Sequence, residues 1–186
     1  SKIQQTEYHG INLVKGDRIL VIGGGSGSIL EYLNREGLDL EVDFVELSGK
    51  MLAMARKRDV GNLKVNFINS NILDHEKGSY SVVITNFFFD QFNQRFAEQI
   101  LHQIISLIDK DGRLFIVDFI KSSRLMHRFL FWSMYTFFRI TAKTGKVQLI
   151  DFKTLFECNG LVQTKSEKIN SYIVSEVYKI NHIKQL

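Results

Sequence analysis

The chain has 186 residues, is 45% hydrophobic, and carries one cysteine, no proline and a formal charge of +4. That length suits a single domain and the apolar content excludes a disordered chain, while a lone cysteine excludes an internal disulfide or a cysteine metal cluster and fits a reducing cytoplasm. The positive charge is local: Lys121, Arg124, Arg128, Arg139, Lys143 and Lys146 share one acid-free segment and the rest is slightly acidic, so no nucleic-acid partner is expected.

Residues 1–17 are mostly polar, with a helix expected near 2–9 and no apolar core of a secretory signal. An apolar run at 18–22, Arg-Ile-Leu-Val-Ile, reads as a strand. It stops in Gly23-Gly24-Gly25-Ser26-Gly27, and a helical pattern covers 27–35. A glycine turn between strand and helix lets a ligand approach the backbone closely. It also aims the helix amides and dipole at an anion. A dinucleotide fingerprint wants glycine at position 28, where Ser28 stands, which leans the turn away from NAD.

The next strand, 41–46, ends in Glu46, 19 residues after Gly27. A carboxylate in that register accepts hydrogen bonds from ribose hydroxyls. Ser48 marks the start of a helix over 48–58, followed by a strand at 64–68. After it, Asn69-Ser70-Asn71-Ile72-Leu73-Asp74 offers a polar group for an adenine amino group, with Ile72 and Leu73 to cover the ring.

A fourth strand, 80–85, runs into Thr85-Asn86-Phe87-Phe88-Phe89-Asp90-Gln91-Phe92. Four closely spaced aromatics are costly to leave in water, and their faces suit a cationic sulfonium or ammonium. Asn86 is a candidate for the amino-acid end of a cofactor, and Asp90 for a base or orienting group. A helix at 93–108 and a strand at 112–118, ending in Asp118, complete five strands alternating with helices. Runs rich in Val, Ile and Leu point to a parallel sheet buried on both faces.

The segment 121–146, with a helix expected at 122–140, is basic and apolar most of the way around. One buried face does not explain that pattern. A lid over an apolar or aromatic substrate, a homodimer surface and a helix lying on an anionic membrane remain open readings. Its apolar core, 125–138, is shorter than the roughly 20 residues a transmembrane helix needs and contains His127 and Arg128. A helix over 151–158 ends at Asn159-Gly160 and contains Cys158, read as a packing residue. Strands at 161–168 and 171–180 then follow with no helix between, so the last strand is antiparallel, at or near a sheet edge. The five histidines show no ligand spacing, and no metal is expected.

These pieces together resemble a class I S-adenosylmethionine-dependent methyltransferase. The resemblance rests on Ile22 to Gly27, Val45-Glu46-Leu47-Ser48, Asn69-Ser70-Asn71-Ile72, Tyr80 to Thr85 and Asp109 to Leu114. It implies a doubly wound α/β domain spanning 1–186, with helices on both faces of a mostly parallel seven-stranded sheet whose last strand is antiparallel. It also implies an enzyme using S-adenosylmethionine. Gly23, Gly24, Gly25, Ser26 and Gly27 would hold the methionine part, Glu46 and Leu47 the ribose side, Asn71 and Ile72 the adenine, and Asn86 and Phe87 the strand-end face. The acceptor would be a small, largely apolar or aromatic molecule. The family usually carries an acid where Val21 stands, another at Asn71 and often an Asp at Ser81. A cofactor-binding protein without turnover, or an NAD-dependent oxidoreductase, is the alternative.

Overall fold

The computed structural model describes Tyr8 and residues 11–76, 78–119, 152–171 and 173–181. Seven strands form one sheet: β1 (Arg18–Ile22), β2 (Glu41–Val45), β3 (Lys64–Ile68), β4 (Tyr80–Asn86), β5 (Ile108–Phe119), β6 (Leu161–Lys168) and β7 (Ile173–Ile180). Their order is β3-β2-β1-β4-β5-β7-β6. The first five pair in parallel, and β7 pairs antiparallel with both β5 and β6. The closing hairpin therefore inserts β7 inside the sheet and leaves β6 at its edge. Asn170 shapes the turn, its side-chain oxygen accepting from the Ile173 amide at 2.8 Å.

Among the described residues four helices pack on the sheet: α1 (Ser28–Arg35), α2 (Gly49–Ala55), α3 (Gln94–Leu107) and α4 (Phe152–Cys158). On one face Ile29, Leu30 and Leu33 of α1 and Leu52 and Ala55 of α2 pack against Ile19, Val21, Val42, Phe44, Val82 and Ile84. On the other, Ile100, Leu101 and Ile104 of α3 and Leu155 and Phe156 of α4 cover Leu20, Ile22, Val83, Leu114, Ile116 and Tyr178. Helix starts follow side-chain chemistry: Ser48 Oγ accepts from the Met51 amide and Asn93 Oδ1 from the Phe96 amide. In α4 the buried side chains are Leu155 and Phe156, and Cys158 is exposed with a free thiol, so it is not the packing residue expected.

Burial on both faces fails at β2 and β3. Glu41, Asp43, Lys64 and Asn66 lie on an uncovered side, together with Arg18. The described residues between β3 and β4 contain one 3-10 turn, Ile72–Asp74, where a doubly wound sheet ordinarily carries a crossover helix. The exposed face is polar as a result. Asp43 accepts from Tyr80 Oη (2.6 Å), Asn66 Nδ2 (2.9 Å) and Arg18 Nη2 (3.2 Å). The Arg18 guanidinium sits 4.9 Å from the centre of the Tyr80 ring.

β5 starts at Ile108, four residues earlier than the glycine at 112 suggests. Tyr80 pairs with Ile108 and Val82 with Arg113, so the intervening residues bulge. Gly112 fits that bulge because a Cβ would lie 2.8 Å from the Tyr80 carbonyl oxygen. At the same end of the strands, buried Asp17 accepts from Arg113 Nη2 (2.9 Å), Ser81 Oγ (2.7 Å) and the Val14 amide (2.9 Å). Arg113 also donates to the Ile11 and Asn12 carbonyls, tying the incoming chain to β5. Ser81, standing at a position often acidic in the family, is a donor to that carboxylate.

Candidate functional site

The carboxyl ends of parallel strands form one rim, and in open α/β sheets ligands bind there. β1 leads into the glycine turn. Gly23, Gly25 and Gly27 have φ of 62°, 56° and 80°, a region disfavoured for residues with a Cβ. Gly24 is glycine for a different reason: a Cβ would lie 2.3 Å from the Phe44 ring. Nothing lies within 4 Å of a Cβ at Gly25, so that part of the turn faces open space. A Gly27 Cβ would lie 2.8 Å from Ala55 Cβ, and this close approach seats α1 on α2. Gly27 is also the N-cap of α1 and provides no side-chain hydrogen bond to the first-turn amides.

Glu46 stands beside the turn, 9% exposed. Its Oε2 accepts from the Gly25 amide at 2.9 Å and its Oε1 from the Ser48 amide at 2.8 Å. Asn69 donates to the carbonyls of Glu46 and Leu47 at 2.8 and 2.9 Å, linking the ends of β2 and β3. Leu47 is 64% exposed. Asn71 uses Oδ1 to accept from the Leu73 amide at 3.1 Å and so caps the 3-10 turn. Ile72 is 4% exposed within the core under α3, leaving its backbone rather than its side chain for the rim.

At the end of β4, Asn86 Nδ2 donates to Tyr8 Oη at 2.8 Å. Asn86 Oδ1 is buried and accepts no hydrogen bond from the described residues; the same holds for Thr85 Oγ1. Such orphaned groups are uncommon and invite a ligand or water. Phe87 has a φ of 49°, rare for an aromatic residue. Its amide donates to the Val117 carbonyl at 2.7 Å, and its carbonyl accepts from Gln91 Nε2 at 2.6 Å. Phe88 lies over Gly23, where a Cβ would come 2.5 Å from its ring. Aromatic packing continues through an edge-on Phe88–Phe92 pair at 5.0 Å, then a tilted Phe92–Phe96 pair at 5.2 Å. Asp90 lies in a 3-10 turn, Phe89–Gln91, but its side chain falls outside the described residues. So do residues 121–146.

The glycine turn, Glu46, Leu47, Asn71, Asn86 and Phe87 thus share one rim, whereas the Ile72 side chain is withdrawn into the core. Two neighbours were not found by sequence reasoning. Tyr8 reaches Asn86 from the start of the chain. Arg58, just after α2, bonds Ser26 through Nε to its carbonyl (2.9 Å) and through Nη2 to its Oγ (3.2 Å). No motif marks either residue. A hollow of about 300 Å³ lined by Arg18, Glu41, Val42, Asp43, Lys64 and Asn66 lies at the opposite strand ends and is unrelated to this rim.

A sequence model of the methyltransferase domain matches residues 19–112, half of the chain, spanning β1 through the start of β5. The chain belongs to the methyltransferase domain family. Solved structures of the same fold include the mitomycin 7-O-methyltransferase MmcR, at 16% identity and a TM-score of 0.71, covering 96% of this chain and 54% of that one. Magnesium protoporphyrin IX methyltransferase (ChlM) from Synechocystis PCC 6803 with bound SAM matches at 18% identity and 0.65, covering 97% and 76%. CalO1, a methyltransferase in calicheamicin biosynthesis in an SAH-bound form, matches at 17% and 0.66, covering 95% and 53%. The chain spans about half the length of the first of these structures, 54% for MmcR. No curated protein matches it. Within this methyltransferase domain no helix among the described residues is long and apolar enough to cross a membrane. No group of described His, Cys, Asp and Glu side chains is arranged to hold a metal ion.

Proposed function

We propose that this domain binds S-adenosylmethionine along the rim and transfers its methyl group to a small, largely apolar or aromatic acceptor. The observation that carries the reading is the pairing of an open glycine turn with Glu46, whose carboxylate is bonded to the Gly25 amide at 2.9 Å. The donor set fits the cofactor. Amides of α1 without a side-chain cap suit the methionine carboxylate. Each Glu46 oxygen accepts one amide and retains acceptor capacity for a ribose hydroxyl. Exposed Leu47 offers an apolar edge to adenine, with Asn71 and the Ile72 backbone beside it. Asn86 Oδ1, a buried acceptor, matches the ammonium that a carboxylate at Val21 would otherwise meet.

When bound, the cofactor supplies a methyl group already activated by a sulfonium. The protein's tasks are then to align acceptor, methyl carbon and sulfur and to keep water out. Phe87, held in its strained backbone conformation at both its amide and its carbonyl, and Phe88 are the aromatic groups assigned to that work. Asp90 is the group proposed to orient the acceptor or take its proton. The acid-free segment 121–146 is proposed as a lid or a homodimer surface, within a single domain in the cytoplasm, a compartment in keeping with the free thiol of Cys158.

Calorimetric titration with S-adenosylmethionine and S-adenosylhomocysteine tests the cofactor. Both are expected to bind, and failure of both with folded protein ends the reading. Glu46→Ala is expected to weaken binding by about 1–3 kcal/mol, the order for hydrogen bonds to a charged group; unchanged affinity removes Glu46 from the site. One observation favours a second reading, binding without turnover. Val21 is 1% exposed and packed in the core where the family usually has an acid. Binding with no transfer to a broad acceptor panel is the result expected from that alternative.

A further inference from the structure

We propose that Arg58 is a positioning residue for the glycine turn, setting the backbone that receives the cofactor. The inference rests on the S-adenosylmethionine reading above. Three donors of one guanidinium bracket the turn. Nε and Nη2 bond the Ser26 carbonyl and hydroxyl, and Nη1 bonds Glu31 Oε1 in the first turn of α1 at 2.9 Å. The stem of Arg58 follows the closest approach of the two helices: a Cβ on Gly27 would lie 3.4 Å from Arg58 Cγ.

The physical need is plain. Ser26 is flanked by two glycines in left-handed conformations, and glycine peptides choose a single conformation only when something outside holds them. The Ser26 carbonyl and the Gly27 amide belong to one rigid peptide plane. That amide donates to the Gly24 carbonyl at 3.0 Å and closes the turn. A guanidinium on the carbonyl therefore fixes the plane from one side, while Glu46 fixes the Gly25 amide on the other. Lysine, a point charge on a flexible stem, does not span three acceptors in this way. The competing explanation is a half-exposed Arg58–Glu31 ion pair of little consequence.

Titration with S-adenosylhomocysteine separates the two. Arg58→Ala is expected to weaken binding about tenfold, the scale for lost charged hydrogen bonds, with the thermal midpoint of the unliganded protein nearly unchanged. Arg58→Lys should recover only part of that loss. Adding Ser26→Ala to Arg58→Ala should cost little more. Affinity within about twofold of the original in Arg58→Ala, where an ordinary surface pair sits, overturns the proposal, as does full recovery in Arg58→Lys. Should Arg58→Ala not fold, amide hydrogen exchange on unliganded Arg58→Lys decides. Faster exchange at Gly27 with unchanged exchange in β1 and β4 supports the clamp, and unchanged exchange at Gly27 overturns it. If the original protein binds no S-adenosylhomocysteine, the cofactor reading fails on its own, and the exchange measurement still tests the clamp.

Discussion

The four glycines of the turn each have a different reason to lack a Cβ. Gly25 faces open space, Gly23 leaves room for the Phe88 ring, Gly24 for the Phe44 ring, and Gly27 for Ala55. Gly24→Ala puts a methyl 2.3 Å from that ring without changing any contact in the open part of the turn. Its expected effect is a loss of about 1–3 kcal/mol, the scale of overpacking a core, read as a lower urea midpoint; an unchanged midpoint contradicts it. The spacing of these glycines is visible in the sequence, and so is the register of Glu46. Their separate reasons are not, because Phe44 and Ala55 are distant in sequence and meet the turn only through packing. Arg58 and Tyr8 were illegible for the same cause, each joining the rim by a contact across more than thirty positions. Val21 shows the converse. An aliphatic residue where an acid is usual is plain from sequence, as is Asn86 as a candidate for the cofactor's amino-acid end, while the burial of Asn86 Oδ1 without a hydrogen bond from the described residues is not.

Between strands, the polar side of β2 and β3 is the feature that the expectation of a sheet buried on both faces misjudged. Glu41-Val42-Asp43-Phe44-Val45 alternates, and alternation signals a half-covered strand. The parallel-sheet expectation overrode it, since parallel sheets ordinarily have helices on both faces. The chain between β3 and β4 is too short to bring a crossover helix over this face. Asp43 anchors the polar cover. Burial alone raises its pKa, but hydrogen bonds from Tyr80 and Asn66 and the Arg18 guanidinium outweigh that and hold the carboxyl below its ordinary value. The unfolded chain therefore binds the proton more readily than the folded one. Asp43 contributes stability above the unfolded pKa of about 4, and the contribution is lost as pH falls through the lower folded value. Denaturation of Asp43→Asn against the original protein should show a difference that narrows as pH drops below about 4. A difference independent of pH removes the ionised carboxylate as its source. Burial, then the hydrogen bond to Asp43, pushes the Tyr80 hydroxyl well above its usual pKa, so it remains a donor throughout.

Across the whole molecule, the mostly parallel sheet and the inverted β7 followed from two legible signals, alternation of strands with helices and a helix-free final hairpin, while the strand order came only with the structure. The methyltransferase family assignment agrees with both, although the chain spans about half the length of the first structures it resembles, 54% for MmcR. Acceptor choice was not legible, because it depends on what surrounds the methyl group rather than on the rim that holds the cofactor. Cofactor binding should be visible globally. With S-adenosylhomocysteine at a hundredfold excess over its Kd, linkage predicts about 2.7 kcal/mol of added stability, measured as a raised thermal midpoint; no rise with saturating ligand contradicts specific binding to the native state. The unequal burial of the parallel strands bears on where that stabilisation would act. β3 is an edge strand without one fully buried side chain, whereas β1 and β4 are buried almost throughout. Local opening starts where few apolar contacts resist it, so among the five parallel strands the edge at β3 is expected to loosen before the centre. The Asn69–Asn71 loop is attached to that edge, and the glycine turn to the rigid centre. A nucleoside spanning the two would join that edge strand to the sheet's buried centre across the carboxyl-end rim.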